Sequence, residues 1–157
     1  MLPLNLIKLA REIAFIALYM YDIGERTIKE LIDFGWFEDL NDVAEVKNYI
    51  GLVPKEKSAD TYKLSERIIN GTISNLEKID SIIKDNLVNW DFDRIHALDK
   101  ALLRVFIYLF IYDYETPAEV LIVEANEISD KYCDNKTSNY INGILNTVKN
   151  KYRSTNL

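Results

Sequence analysis

Residues 89–113 read NWDFDRIHALDKALLRVFIYLFIYD, and from Ile95 onward most of the side chains are apolar. Wound as an α-helix, the run places apolar residues at helical spacing on one wide face: Ile95, Leu98, Leu102, Val105, Phe106, Tyr108, Leu109 and Tyr112. A helix that is apolar over most of its circumference must be surrounded by other helices. The run therefore predicts the central helix of an all-α domain, with Asp91 or Asp93 as its N-cap.

Arg104 is a permanent charge in the middle of this apolar run. A buried guanidinium is costly unless a carboxylate meets it. Glu124, one predicted helix later, also stands among apolar residues, and a two-point pair would let both groups be buried. We therefore expect a structural ion pair between Arg104 and Glu124, and removing one partner should cost roughly 3 to 5 kcal/mol.

Length and composition predict a single helical domain over residues 1–157, and the apolar spacing described below makes it a bundle of about seven helices. A chain of 157 residues can bury a sizeable core, and its 48% apolar residues exclude a disordered chain. Its 5 glycines and 3 prolines leave little material for the many turns of a β-sandwich. Helices are the natural way to bury the apolar residues of this chain.

Net charge, the N-terminal segment and the single cysteine indicate which partners and which compartment to expect. A net charge of -6 and a pI near 4.9 give no general attraction to nucleic acid, so any RNA contact must come from a local basic patch. Lys8, Arg11 and Glu12 interrupt the apolar N-terminus well short of the ~20 residues that span a bilayer. We expect no membrane span and no signal peptide. The lone Cys133 is consistent with a reducing cytoplasm.

Catalytic, metal-binding and cofactor-binding motifs are not expected in this chain. His96 is the only histidine and has no neighbouring nucleophile signature, so we interpret it as an exposed helix residue. Cys133 has no second cysteine or histidine at metal-ligand spacing. No glycine-rich phosphate-binding loop occurs. The sequence therefore predicts a protein that is not an enzyme, with no metal and no cofactor.

Apolar spacing and capping residues predict the helices of the first half of the chain. A helix over 4–23 should end at Gly24, and a shorter one over 27–34, with Thr27 as N-cap, should end at Gly35. Another starts at Asn41 or Asp42 and ends before Gly51. The polar run over 53–60 is interpreted as a loop, and a long helix over 60–87, bent at Gly71, follows it.

Two further helices complete the predicted bundle. Thr116 is the expected cap of the first, with Pro117 at its first helical position and Glu119 reaching back to the Thr116 amide. The second starts at Thr137 or Ser138 and ends in basic residues. Gly143 lies inside this last helix, and its apolar neighbours favour close packing against another backbone.

Four motifs, in this order and spacing, resemble the NusB family of transcription antitermination factors. They are Arg11-Glu12-Ile13-Ala14 leading to Ala17-Leu18-Tyr19, Asn89-Trp90 with Arg94, Asp99-Lys100-Ala101-Leu102-Leu103-Arg104 leading to Tyr108, and Tyr140-Ile141-Asn142-Gly143-Ile144-Leu145. Thr116-Pro117 and the stretch from Val120 to Ala125 match the family's proline-led helix with its glutamate. The resemblance covers nearly the whole chain and is weakest over residues 25–57.

The resemblance implies an all-helical domain of two packed sub-bundles that acts without catalysis. Members of the family pair with the small-subunit ribosomal protein NusE. The two proteins hold a single-stranded boxA element of nascent RNA, so that the transcription elongation complex resists termination on ribosomal RNA operons. For this chain the resemblance implies boxA-type RNA, NusE and the elongation complex as partners.

Carried onto this chain, the family's N-terminal arginine-rich stretch leaves only Lys8 and Arg11 positive. The loss of basic residues weakens the electrostatic part of RNA binding. Lys131 and Lys136 can compensate in part, with Ser138 and Asn139 as hydrogen-bond donors, and these six residues are the expected RNA contacts. Tyr132 and Tyr140 are candidate stacking surfaces, although core packing is the favoured interpretation of Tyr140.

Two alternatives stay open at the level of sequence. The acidic charge and the thinned basic stretch also fit a NusB-like protein-interaction module with weak or no RNA binding. Trp36, Phe37 and Phe92 fit either a core or a subunit interface, so a homodimer is among the assemblies to be tested.

Overall fold

The computed structural model describes residues 2–24, 26–39 and 55–153. Within these ranges it contains seven α-helices, two 3-10 helices and no β-strand, which confirms the all-α prediction. The α-helices are α1 (Leu4–Asp22), α2 (Ile28–Asp33), α3 (Lys55–Ser74), α4 (Leu76–Asp85), α5 (Ala97–Tyr112), α6 (Ala118–Tyr132) and α7 (Asn135–Arg153). The 3-10 helices are Gly35–Asp39 and Phe92–Arg94. The helix predicted to begin at residue 41 or 42 lies outside the described residues.

The chain divides into two compact units, Met1–Asn70 and Gly71–Leu157. In the first unit, α1 ends where it was predicted to end, since Gly24 takes a φ of 77°, which glycine adopts without strain. Thr27 caps α2 as predicted, and its Oγ1 accepts the Glu30 amide at 3.2 Å. The Ser65 hydroxyl donates to the Ala10 carbonyl at 2.8 Å and ties α3 to α1.

Helix α5 forms the centre of the second unit. It packs against α4, α6 and α7, and its side chains are buried except at four positions, Ala97, Leu98, Tyr108 and Tyr112. This confirms the prediction of a central apolar helix. Its predicted start was wrong: Asp91 instead caps the 3-10 helix Phe92–Arg94 by accepting the Asp93 amide, and extended backbone at Ile95 separates this turn from α5.

The predicted loop over 53–60 was wrong in its second part, because α3 already begins at Lys55. Lys, Glu and Ala are strong helix formers, and they outweigh the polar character of the run. The predicted bend at Gly71 was also wrong. The helix breaks one turn later at Asn75, where the backbone amide and the side-chain Nδ2 both donate to the Gly71 carbonyl, at 3.2 and 2.7 Å.

The predicted capping box at the start of α6 was wrong in its hydrogen bonds, although the helix begins within one residue of the predicted position. Pro117 takes the N-cap position with no side-chain cap. The Thr116 amide donates to Asp113 at 3.3 Å, and the Thr116 hydroxyl donates to the same carboxylate at 2.8 Å. Asp113 therefore serves as the local acceptor in place of Glu119.

Helix α7 begins at Asn135, two residues before the earlier of the predicted starts. Asp134 precedes it and accepts the Lys136 amide at 2.9 Å, which satisfies one of the free amides of the first turn. Close packing at Gly143 was wrong as well: a Cβ at this position would meet nothing within 4 Å, and Gly143 is exposed. The apolar neighbours of Gly143 point to a different side of the helix.

Arg104 is buried, as predicted, and its guanidinium meets Asp80 on α4 in a two-point pair with two N–O distances of 2.9 Å. The sequence analysis did not identify Asp80 as a partner. Glu124 is also buried, on α6, and its pairing with Arg104 stays a prediction.

Candidate nucleic-acid interface

Four of the six predicted RNA contacts cluster at the junction between α6 and α7. Helix α6 ends at Tyr132 and α7 begins at Asn135, so Lys131, Lys136, Ser138 and Asn139 all lie within about one helical turn of the two-residue connection. The side chains of Lys131, Lys136 and Asn139 are exposed. Ser138 is half-buried, and its hydroxyl donates to the Asn135 carbonyl at 3.1 Å.

A buried hydrogen bond fixes this junction against the start of α5. The Thr137 hydroxyl donates to Asp99 Oδ2 at 2.8 Å, and both side chains are almost fully buried. Because one of the residues lies in the first turn of α5 and the other in the first turn of α7, the N-terminal ends of these two helices are held side by side. The hydrogen bond therefore fixes the backbone that carries the exposed residues of the junction.

Tyr140 and Trp90 form a stacked aromatic pair next to this junction. Their ring centroids are 5.3 Å apart with an interplanar angle of 23°. The Tyr140 hydroxyl accepts the Val88 amide at 3.0 Å, which anchors the segment before α5 onto α7. Tyr140 is half-buried and Trp90 is 39% exposed, so Tyr140 is not a core residue and the pair keeps an accessible aromatic surface.

Trp90 was not among the predicted site residues, although the Asn89-Trp90 motif was recognised. A tryptophan in a segment without regular structure carries no local signal for what it contacts. The stacking arises only because α7 brings Tyr140 next to a residue 50 positions earlier in the chain. Val88 beside it is 69% exposed, so the whole segment from Val88 to Trp90 lies at the surface.

The second stacking candidate, Tyr132, is half-buried at the end of α6. The Lys131 ammonium lies 5.4 Å from the centroid of its ring. This cation–π contact holds the exposed Lys131 ammonium next to the Tyr132 ring.

The two remaining predicted contacts, Lys8 and Arg11, lie on α1 in the first unit. Lys8 is exposed, but Arg11 is only 4% exposed. The guanidinium of Arg11 thus belongs to the buried side of α1, where Leu9, Ala10 and Ile13 are also buried. Its role as an RNA contact stays a prediction, and its burial does not favour that role.

The chemistry around the junction does not suit a nucleophile. Burial raises the pKa of the Cys133 thiol to about 12, and the charge of the Asp99 carboxylate together with a hydrogen bond to it acts in the same direction. A thiol with such a pKa carries almost no thiolate at neutral pH. Among the described residues, no three His, Cys, Asp or Glu side chains are grouped so as to hold a metal ion.

His96 is exposed, as predicted, at the N-cap position of α5, where its side chain makes no capping hydrogen bond. No helix in the described part of the chain combines the length and apolar character that a membrane span needs.

Comparison with known proteins places this chain in one family. The model of the NusB family matches residues 8–150. A curated relative, the transcription antitermination protein NusB of Treponema denticola, is 32% identical over 141 residues, which cover 90% of this chain and 93% of the relative. The protein of the same name from Carboxydothermus hydrogenoformans is 34% identical over 139 residues, covering 88% of this chain and 89% of the relative.

A solved structure shares the fold. The chain matched in the crystal structure of the antitermination factors NusB and NusE in complex with dsRNA superposes with a TM-score of 0.73 at 23% identity. The match covers 96% of this chain and 100% of that chain. From the family match over most of its length and from these relatives, the chain belongs to the NusB family.

Proposed function

We propose that this protein is a transcription antitermination factor that binds single-stranded boxA RNA together with NusE and suppresses termination in ribosomal RNA operons. The observation that carries the proposal is the stacked Trp90–Tyr140 pair next to the exposed residues of the α6–α7 junction. Family membership supports it, because the curated relatives bear the name of that function.

The interface offers the two kinds of contact that single-stranded RNA uses. An aromatic side chain can stack on any unpaired base, and such stacking contributes about 1 to 3 kcal/mol per base. Lys131 and Lys136 supply charges for the phosphates, and the exposed amide of Asn139 can hydrogen-bond to a base edge or to a ribose hydroxyl. None of these contacts requires a catalytic group, so the proposed role is binding alone.

The charge of the chain explains why a second protein is expected in the complex. With a net charge of -6 and Arg11 buried, the isolated chain presents few cations to the RNA backbone. Affinity for single strands grows with the number of phosphates that are neutralised. NusE is therefore expected to supply part of the contact surface, and the joint complex to act on the transcription elongation complex in the cytoplasm.

A pairing with NusE is favoured over a homodimer. Two of the three aromatic residues that left a homodimer open, Trp36 and Phe37, are almost fully buried in the first unit, so they offer no surface for a second copy. Size-exclusion chromatography of the pure chain should accordingly give a monomer, and addition of NusE should give a one-to-one complex.

The test is a titration of a fluorescent boxA RNA with the chain, with NusE and with both, each at two salt concentrations. We expect weak binding by the chain alone, tighter binding by the pair, and lower affinity at the higher salt concentration. A scrambled RNA of the same composition is the control. Absence of binding under all of these conditions would contradict the proposal.

A protein-interaction module without RNA binding is the second candidate, and the burial of Arg11 is the observation that favours it. The same experiment separates the two functions. If immobilised NusE retains the chain while no RNA shifts in a gel at low salt, the module without RNA binding is the correct function.

A further inference from the structure

Three positive side chains surround the ring of Phe92, outside the interface that was predicted from the sequence. The Lys100 ammonium lies 4.4 Å from the ring centroid, the Lys84 ammonium 4.9 Å and the Arg104 guanidinium carbon 5.9 Å. Phe92 is the first residue of the 3-10 helix before α5, and it is half-buried. We call Lys84, Lys100, Arg104 and Phe92 the Phe92 cluster.

The positive charge of this cluster is only partly balanced. Arg104 is neutralised by Asp80. For Lys84 and Lys100, however, no ion pair is formed with any carboxylate of the described residues, and their ammonium groups contact the Phe92 ring instead. Three cations therefore share one ring, and of the three Arg104 is the one that pairs with a carboxylate. Since two unpaired ammonium groups near one ring repel each other, a bound anion would stabilise the arrangement.

Lys100 is the less expected of the two lysines. It is only 9% exposed, and it stands in the first turn of α5, where the helix dipole disfavours a positive charge. Packing of its aliphatic stem alone does not require an ammonium group at this position, since an uncharged side chain of the same length would pack equally well. An ammonium group held at the positive end of a helix is suited to binding an external anion.

The Phe92 cluster is linked to the candidate RNA contacts by two neighbouring residues. Trp90, two residues before Phe92, stacks on Tyr140, and Asp99, next to Lys100, binds Thr137 of α7. The Phe92 cluster thus lies at the same end of the second unit as the stacked aromatic pair and the α6–α7 junction. An RNA strand whose bases stack at Trp90 and Tyr140 carries a phosphate every nucleotide, and so brings phosphates next to the stacked bases.

We propose that Lys84 and Lys100 form a phosphate subsite for the RNA strand, continuous with the Trp90–Tyr140 pair. This inference rests on the proposed RNA-binding function and adds two residues to its contact surface. Both ammonium groups lie within 4.9 Å of the centroid of the same ring, close enough to one another to contact a single phosphodiester. A carboxylate-rich segment of a partner protein is the competing occupant, and it is separated by the test.

The test compares the double variant Lys84→Gln/Lys100→Gln with a matched control, Lys78→Gln/Lys151→Gln. The control removes the same charge, but Lys78 lies over Tyr112 at the C-terminal end of α5 and Lys151 lies in the last turn of α7. The dissociation constant for boxA RNA is measured with NusE present over a series of salt concentrations. Circular dichroism shows whether the double variant is folded. The single variant Lys84→Gln, at an exposed residue, replaces it in the titration if it is not.

Loss of one phosphate contact should weaken RNA binding about five-fold near 0.1 M salt and lower the slope of log affinity against log salt by about 0.7. The control variant should keep the slope of the natural chain. An equal loss in the control, or an unchanged slope in the Lys84 and Lys100 variants of a chain that does bind RNA, overturns the subsite and leaves the proposed function standing.

Two other outcomes overturn the subsite in different ways. If the variants lose affinity for NusE and keep their affinity for RNA, the cluster binds carboxylates of a protein. If the natural chain with NusE binds no RNA at all, the proposed function and the subsite fail together.

Discussion

Arg104 on α5 and Asp80 on α4 are joined by two parallel hydrogen bonds of 2.9 Å each, from Nε and Nη2 to the two carboxylate oxygens. The side chains are 7% and 17% exposed. The pair therefore links the central helix to α4 and neutralises a charge that the core could not hold alone.

Asp80→Asn should accordingly destabilise the protein by about 3 kcal/mol, at the lower end of the range for a broken buried pair because Asp80 keeps some exposure. Urea denaturation gives the change in the free energy of unfolding. Asp85→Asn, at an exposed residue of the same helix, is the control and should shift it by less than about 0.5 kcal/mol. Equal midpoints for both variants would show that the pair contributes nothing.

Two helical glycines should respond in opposite directions to the same substitution. A Cβ at Gly71 would overlap the ring of Tyr108, so Gly71→Ala should destabilise the protein by about 1 to 3 kcal/mol. Gly143 faces open space, so Gly143→Ala should stabilise it by about 0.5 to 1 kcal/mol through better helix propensity. Thermal unfolding of both variants checks the signs, and a destabilised Gly143→Ala would contradict the open environment.

The guanidinium of Arg153, at the end of α7, caps the C-terminus of another helix. It donates to the carbonyls of Phe110 at 2.6 Å, Leu109 at 3.0 Å and Thr116 at 2.9 Å, and also to the Asp113 carbonyl. Arg153→Met should lower stability by about 2 kcal/mol, because carbonyls at the end of α5 lose a charged donor. Lys151→Met serves as the control in the same unfolding assay, and an equal loss there would count against the cap.

The thiol of Cys133 should be unreactive in the folded protein. Because burial and Asp99 raise its pKa above the usual value to about 12, the folded state retains the thiol proton over a pH range in which the unfolded chain releases it. This contribution to stability is complete below the pKa of the unfolded chain and is lost as the pH rises from about 9 to about 12. A thiol reagent at pH 8 should react much faster after denaturant is added.

The variant Cys133→Ala tests whether the raised pKa of the thiol contributes to the free energy of unfolding. Between pH 8 and pH 11 its free energy of unfolding should fall less steeply than that of the natural protein. Identical slopes for the two proteins, or rapid labelling of the native thiol, would argue against the shifted pKa.

RNA binding should change the fluorescence of Trp90. Of the two tryptophans, Trp36 is 2% exposed and Trp90 is 39% exposed and stacked on Tyr140, so a base that stacks there should quench Trp90 selectively. Trp90→Phe should remove the quenching, and Tyr140→Ala should weaken binding by about 1 to 3 kcal/mol. Quenching that persists in Trp90→Phe would place the RNA elsewhere.

The helices themselves could be predicted because their signals are local. Apolar spacing identified the central helix, and Gly24 and Thr27 marked the end of α1 and the start of α2 as the structure has them. The predictions of a bend at Gly71 and of a capping box at Thr116 failed because side chains nearby form other local hydrogen bonds. The long helix breaks at Asn75, whose side chain adds a second hydrogen bond to the Gly71 carbonyl, and Asp113 takes the amide that was assigned to Glu119.

The sequence identified several residues of the candidate interface but not the contacts between residues that are far apart in the chain. Lys131, Lys136, Ser138 and Asn139 were predicted as the cations and hydrogen-bond donors before and at the start of the last helix, and the structure places them together at the α6–α7 junction. Trp90 and the Phe92 cluster were missed, since Trp90 meets Tyr140 and Phe92 meets Lys84 and Lys100 only after the helices have packed.

The amino-acid sequence by itself determined that the chain is helical, that α5 is buried, and that Arg104 needs a carboxylate, because periodicity, propensity and desolvation act on each segment separately. Only the tertiary structure decided that Asp80 meets Arg104, that Gly71 is crowded while Gly143 is free, and that Arg11 is buried. These outcomes depend on which faces of distant helices come into contact, and a contact between residues far apart in the chain leaves no trace in the local pattern of either segment.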